Sequence, residues 1–166
     1  MRTGCKEPIG EMPLDGDRKI VFRRLCDNEL HRLKDFYESL DIDTIHRRFL
    51  AAIRDFTWLP KFLKGGNAVV VVAELDGEIV GSAEAVPTGE PGEAEVGIVV
   101  KREYRRRGIG KRLGLALYLA AREAGIKRAI AEVSPENAPA LALARALGFR
   151  RAPSPPGTVR LVLDMD

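Results

Sequence analysis

KREYRRRGIGKRLG, residues 101–114, sets seven basic residues and three glycines in fourteen positions. It runs between the apolar stretch VGIVV (96–100) and LALYLAAREAG (115–125), which has helical periodicity. Strand, basic glycine-rich turn and helix in immediate succession predict a turn that meets something negative. Glycines without a Cβ let backbone N–H groups approach a ligand closely, and a helix N-terminus adds partial positive charge. The dinucleotide pattern G-x-G-x-x-G fails, because Leu113 stands where the third glycine belongs. A Walker A loop fails too: Arg112 follows Gly110-Lys111 in place of Ser or Thr, and Arg105 replaces the first glycine. What remains is R-x-x-G-x-G, Arg105 to Gly110. Such a loop suits a pyrophosphate, with Arg105, Arg107 and Lys111 neutralising nearby charge.

Outward from this unit, strand and helix signals alternate without a linker. Residues 1–17 carry Gly, Pro and Asp with no apolar period and read as a flexible arm. KIVFRRL (19–25) predicts a first strand. Leu30, Leu33, Phe36, Tyr37 and Leu40 recur at helical spacing after Asp27, and a second helix is expected through Ile42, Ile45, Phe49, Ile53 and Phe56. NAVVVVAELDGEIVGSAEAV reads as a hairpin around Asp76-Gly77. AEVGIVVK (94–101) is a further strand, and the helix after the basic loop runs to about Ala124, with Gly125 as its C-cap. A strand (128–133), a helix (138–147) and a last strand (158–165) follow. This order predicts a mixed α/β sheet with helices on both faces, in one domain over residues 18–166.

Bulk properties exclude several classes. No stretch resembles a signal peptide or a membrane span, which predicts a cytoplasmic protein. A net charge of +3 is mildly basic. Glutamine is absent, asparagine occurs three times, and arginine outnumbers lysine 19 to 8, a bias that hints at a thermophilic source. Cys5 and Cys26 give neither a disulfide framework nor a metal-ligand cluster, so no metal is expected.

The loop and its surroundings resemble the GNAT superfamily of N-acetyltransferases. Arg105-Arg106-Arg107-Gly108-Ile109-Gly110 matches its acetyl-CoA loop. GIVVKREYRRRGIG is similar to its fourth strand plus loop, and NAPALALARALGF (137–149) to its N-x-x-A…LGF helix. FYESLDIDTIHRRFL (36–50) resembles the first helices of the Pat-type protein lysine acetyltransferases. The resemblance implies a mostly antiparallel sheet in which the fourth and fifth strands are parallel and splayed, with acetyl-CoA as co-substrate. It implies contacts of Ile98, Val99 and Val100 with pantetheine and of Arg105, Arg106, Arg107, Gly108, Ile109, Gly110 and Lys111 with the pyrophosphate. Asn137 would face the pantetheine arm from the far side. The implied reaction is direct transfer of acetyl to an amine in a ternary complex. A protein lysine is the preferred acceptor, with an N-terminal or small-molecule amine as the alternative.

A lysine ammonium (reference pKa ~10.4) has no lone pair at neutral pH, so some group must take its proton. Glu95 is the first choice, Glu132 the second and Glu84 the third; each also reads as an ordinary solvent-facing or arginine-paired strand residue. The tyrosine that many family members place four residues before the Gly-Phe pair is Ala144 here. Cys26 and His31 show no nucleophile pattern and read as structural. His46, Arg47 and Arg48 suit either an acceptor channel or a solvated helix face. Phe56, Trp58 and Phe62 suit the core better than a substrate wall. Direct nucleic-acid binding is disfavoured, because no helix shows a recognition face and no aromatic residues interleave with the basic run at a spacing suited to stacking bases. A CoA-binding sensor without turnover is the remaining alternative.

Overall fold

The structure, a computed structural model, describes residues 4–165. The chain runs through β1 (Pro8–Asp15), β2 (Arg18–Arg24), α1 (Leu30–Glu38), α2 (Ile42–Phe49) and α3 (Leu59–Gly65). It continues through β3 (Val69–Leu75), β4 (Glu78–Pro87), β5 (Glu93–Val100), α4 (Ile109–Glu123) and β6 (Arg128–Val133). It closes with α5 (Ala138–Ala146), β7 (Arg150–Ala152) and β8 (Val159–Asp164). The strands form one sheet in the order β1-β2-β3-β4-β5-β6-β8-β7. Neighbours are antiparallel except β5 and β6.

Strand periodicity sends alternate side chains to opposite layers. On β3, Val69, Val71 and Ala73 meet α4, while Val70 and Val72 meet α1 and α3. Helix α4 seats Ile109, Leu113 and Leu117 on the first face, each contributing about 1.5–3 kcal/mol by full burial. Helices α1 to α3 cover the second face with Leu33, Phe36, Ile45 and Leu59. Helix α5 packs on β6 and β8 through Leu141 and Ala144, beside Val133 and Leu161. No helix among the described residues is long and apolar enough to cross a membrane.

The parallel pair sets the site. Glu93, Ala94 and Glu95 register with Arg128, Ala129 and Ile130, and there the registered pairing ends. β5 goes on to Val100 paired with β4 alone, and β6 goes on to Val133 paired with β8 alone. The sheet therefore splits from Glu95 onward.

Several expectations need correction, among them the core placement of Trp58 and Phe62, which are exposed. Pro8–Asp15, expected in a flexible arm, is an edge strand paired with β2. Its two prolines sit at register irregularities, where an edge tolerates a missing donor, and they hid the strand signal. Met12 and Leu14 pack against the core. Residues 1–3 of that arm, and Asp166 at the end of the expected domain, lie outside the described residues. Second, Cys5 and Cys26 are disulfide-bonded, with Cα atoms 5.2 Å apart. Two cysteines make no framework, but β1 folding back along β2 returns Cys5 to the start of α1. Third, α2 ends at Phe49, where Leu50 turns left-handed at φ +56°, and Phe56 lies outside any helix. Last, the three-residue strand β7 is too short to leave a periodic signal.

Candidate active site

The basic loop leaves β5 through a single 3-10 turn (Arg102–Tyr104) and enters α4 at Gly108. Gly108 holds φ +84°, a conformation L side chains rarely adopt, and a Cβ built there meets nothing within 4 Å. The backbone is bare on that side. By helix geometry the amides of Ile109, Gly110 and Lys111 have no partner one turn back, so the loop offers a row of donors and the positive end of α4. Gly110 serves a different purpose: its Cβ would lie 3.3 Å from Leu143 of α5, so its absence lets the two helices close over the split.

The arginines divide by role. Arg105 donates through Nε to the Val100 carbonyl (3.0 Å) and through Nη2 to Thr44 Oγ1 (2.8 Å), bolting the loop to β5 and α2. Burial lowers its pKa from the ordinary arginine value. Arg102 pairs with Asp41 at 2.7 Å and Arg107 stands 3.7 Å from Asp15. Arg106, Arg107 and Lys111 are exposed around the helix start.

Where β5 and β6 part, they open a slot of about 280 Å³, continuous with solvent. Of the residues expected to act, Glu95, Ile98, Val99, Val100, Arg105, Gly110, Glu132 and Asn137 all line it. Gly108, Ile109 and Lys111 lie at the α4 end, and the Ile109 side chain is buried in the core, leaving only its amide for a ligand. Asn137 caps α5, its Oδ1 accepting from the Ala140 amide at 3.3 Å. Ala144 also lines the slot and brings no hydroxyl.

The three carboxylates differ sharply in surroundings. Glu95 and Ile130 are register partners, so Glu95 and Glu132 project to one face of the sheet, the face under α1 to α3. Glu95 is exposed at the point of the split and has no ion-pair partner among the described residues. Glu132 is bound to Arg160 at 2.7 Å, although its Oε2 is buried without a partner. Glu84 is 2 % exposed and saturated: it accepts from Tyr37 Oη (2.7 Å), Ser82 Oγ (2.6 Å) and Arg48 Nη2 (3.0 Å). Of the three, only Glu95 is both exposed and without an ion-pair partner among the described residues.

Sequence reasoning left the α2 side unresolved. The structure brings Thr44, Arg47 and Arg48 into the slot, so Arg48 at least is no solvated residue. Gly97 inside an otherwise β-branched strand was the available signal, since glycine there marks a close approach. Nothing in the sequence named Arg48 as what approaches. Among the described residues no cluster of His, Cys, Asp and Glu could hold a metal.

Comparison with known proteins agrees with this geometry. Residues 30–149 match the model of the Acetyltransferase (GNAT) family. An N-alpha-acetyltransferase of Sulfurisphaera tokodaii is 32 % identical over 125 residues, covering 66 % of this chain and 75 % of that protein. The GNAT domain of S. lividans PAT superposes with a TM-score of 0.78 at 26 % identity, over 88 % of this chain and 90 % of that one. The phosphinothricin acetyltransferase of Sinorhizobium meliloti, solved with acetyl-CoA, shares the fold at a TM-score of 0.69 and 20 % identity, over 87 % and 88 % of the two chains. With its split parallel pair and its glycine-started helix, the chain belongs to the GNAT acetyltransferase family.

Proposed function

We propose that the protein transfers the acetyl group of acetyl-CoA to a primary amine of a polypeptide, directly and without an acyl-enzyme. The observation that carries this reading is the slot itself. One end holds the bare backbone of Gly108 and the unpaired amides of α4; the other holds Glu95, an unpartnered carboxylate on the face where an acceptor can enter.

The residues present fit acetyl-CoA, which when bound supplies the acetyl group as a thioester. The Gly108, Ile109, Gly110 and Lys111 amides would hold its pyrophosphate, with Arg105 Nη1, Arg106, Arg107 and Lys111 supplying charge. Ile98 to Val100, unpaired on the β6 side, would bond the pantetheine arm as a neighbouring strand does, and Asn137 would flank it. Glu95 accepts the ammonium proton, itself or through one water, so that nitrogen gains its lone pair. With Ala144 in the slot no side chain is needed to protonate the departing sulfur, because a thiol of reference pKa ~8.5 leaves readily as thiolate. Both cysteines are in the disulfide and cannot serve as nucleophiles.

Two amines fit. The likeness to the S. lividans PAT domain supports a lysine side chain and a Pat-type assignment. The relative from Sulfurisphaera tokodaii supports a protein N-terminus. Initial rates with both substrates varied, using acetyl-CoA and peptides followed by mass spectrometry, test the shared reading. Acetylated peptide and intersecting lines are expected; parallel lines, or acetyl-CoA binding with no transfer to any amine, would refute it.

A further inference from the structure

A buried polar cluster beside the slot is not used by the proton transfer just described. Gly97 lies two residues beyond Glu95 on β5, directly across from Glu84 on β4. In place of a Gly97 side chain lies the guanidinium of Arg48: a Cβ on Gly97 would stand 2.2 Å from Arg48 Cζ and 2.4 Å from Nη1. Glu84 holds the guanidinium from beneath at 3.0 Å, and Tyr37 and Ser82 hold Glu84. Phe49 supports it from the side, its ring centroid 4.6 Å from Cζ. Burial works against the Arg48 charge, but Tyr37 and Glu84 outweigh it and raise its pKa.

A buried ion pair of this kind is seldom the most stable filling for its space, since apolar residues of similar volume serve as well or better. Here four residues and a missing side chain fix one cation at the mouth of the slot. Strand rise places Gly97 about 6.5 Å from Glu95 along β5. A ligand whose amine reaches Glu95 therefore passes the guanidinium within a few atoms of the reacting nitrogen. A lysine side chain would bring methylene groups to that point, which leave the Arg48 donors unmet. An α-amine brings the carbonyl oxygen of its own residue.

We infer that Arg48 is the specificity-determining residue for the acceptor: it takes the carbonyl oxygen one carbon beyond the amine-bearing carbon, so α-amines are acetylated in preference to lysine side chains. This rests on the acetyl-transfer reading above. The same chemistry is offered by the first residue of a polypeptide and by a free amino acid, and the test separates them.

Three acceptors are compared with acetyl-CoA saturating: a lysine-free peptide with a free N-terminus, an N-terminally blocked peptide with one internal lysine, and the free amino acid matching the first peptide's first residue. The wild-type protein should favour the free N-terminus over the blocked peptide by about tenfold or more in kcat/KM. Arg48→Met alone strands the buried Glu84 charge and risks misfolding. The variant used is therefore Arg48→Met with Glu84→Gln, in which Tyr37 and Ser82 still donate to an amide oxygen. Its KM for the α-amine should rise about ten- to a hundredfold, the loss of one charge-assisted hydrogen bond, with kcat and acetyl-CoA affinity nearly unchanged. Arg48→Lys should lose less. A wild-type preference for the blocked peptide, an unchanged KM in the double variant, or an equal loss of kcat on every acceptor would overturn the assignment. If the free amino acid alone is acetylated, the polypeptide reading falls while Arg48 stands, read by its KM on that acceptor. Acetylation of none of the three overturns both.

Discussion

On the α4–α5 side of the split, shape is set by what is missing: no Cβ at Gly108 over the helix amides, none at Gly110 where α5 closes in, and none at Gly114, where a Cβ would lie 2.5 Å from Leu147. On the α1–α2 side it is set by charge. Arg105 ties Thr44 to β5, Arg102 holds Asp41, and Arg48 lies on Gly97 above Glu84. The first side suits a ligand whose chemistry never varies, which backbone groups can hold. The second uses side chains, which can be exchanged for another acceptor without disturbing the first. Cofactor affinity and acceptor turnover should therefore be separable by mutation.

The largest expected effect tests that separation from the acceptor side. Glu95→Gln keeps the shape and removes the base, so kcat should fall by ~10²–10⁴, with acetyl-CoA affinity nearly unchanged. The deficit should shrink as pH rises toward the acceptor's own pKa. Glu132→Gln is the control; if it alone loses kcat, the base is Glu132 despite its pairing with Arg160.

Cys5→Ala with Cys26→Ala removes the staple between the β1 side and the start of α1, 21 residues apart in sequence. Stability should drop by roughly 2–4 kcal/mol, read by denaturant unfolding, while turnover below the new melting point is kept. Lost turnover in the folded variant would contradict direct transfer.

Gly108→Val acts from the other side. It forces a β-branched residue to φ +84° and puts bulk over the helix amides. Acetyl-CoA affinity should weaken by about tenfold or more, near 1.4 kcal/mol, with kcat at saturation little changed. Calorimetry that finds full affinity would place the cofactor elsewhere.

The smallest effect concerns acid. Arg23 and Arg32 clasp Glu29 and Glu74, tying the start of α1 to β2 and β3. Hydrogen bonds from Arg23 bring Glu29 down to about 2; burial pushes Glu74 up, but Arg23 and Arg32 hold it below its ordinary value. Carboxylates held low stabilise the fold fully above about 4.5, and that contribution drains away as pH falls toward 2. Hydrogen exchange should show α1 losing protection in that window before α4 does. Loss in the opposite order would mean that the network does not hold the acceptor side.

The same contrast explains what the sequence revealed. The loop, the hairpin at Asp76-Gly77 and the helix after Asn137 were legible because each is local: turn glycines, caps and periodicity sit within a few residues of what they control. Glu95 and Glu132 could be placed on the two strands beside the slot, because the family resemblance made those strands splayed parallel neighbours. That Glu84 is sealed beneath Arg48 was not legible, because Tyr37, Arg48, Ser82 and Gly97 meet only after four elements fold over one another. β1 was hidden by prolines tolerated on an edge, and with it went the Cys5–Cys26 bond.

Acetyl-CoA should bind in the split between β5 and β6. Titrating isotope-labelled protein with acetyl-CoA and following backbone amide shifts by NMR tests it most directly. The largest changes should fall at Gly108, Ile109, Gly110 and Lys111 and along Val96 to Val100, with Glu95 at the boundary. Changes confined to the adjoining apolar cleft beneath α4, around Tyr118, Leu163 and Met165, with the Gly108 to Lys111 amides silent, would contradict it.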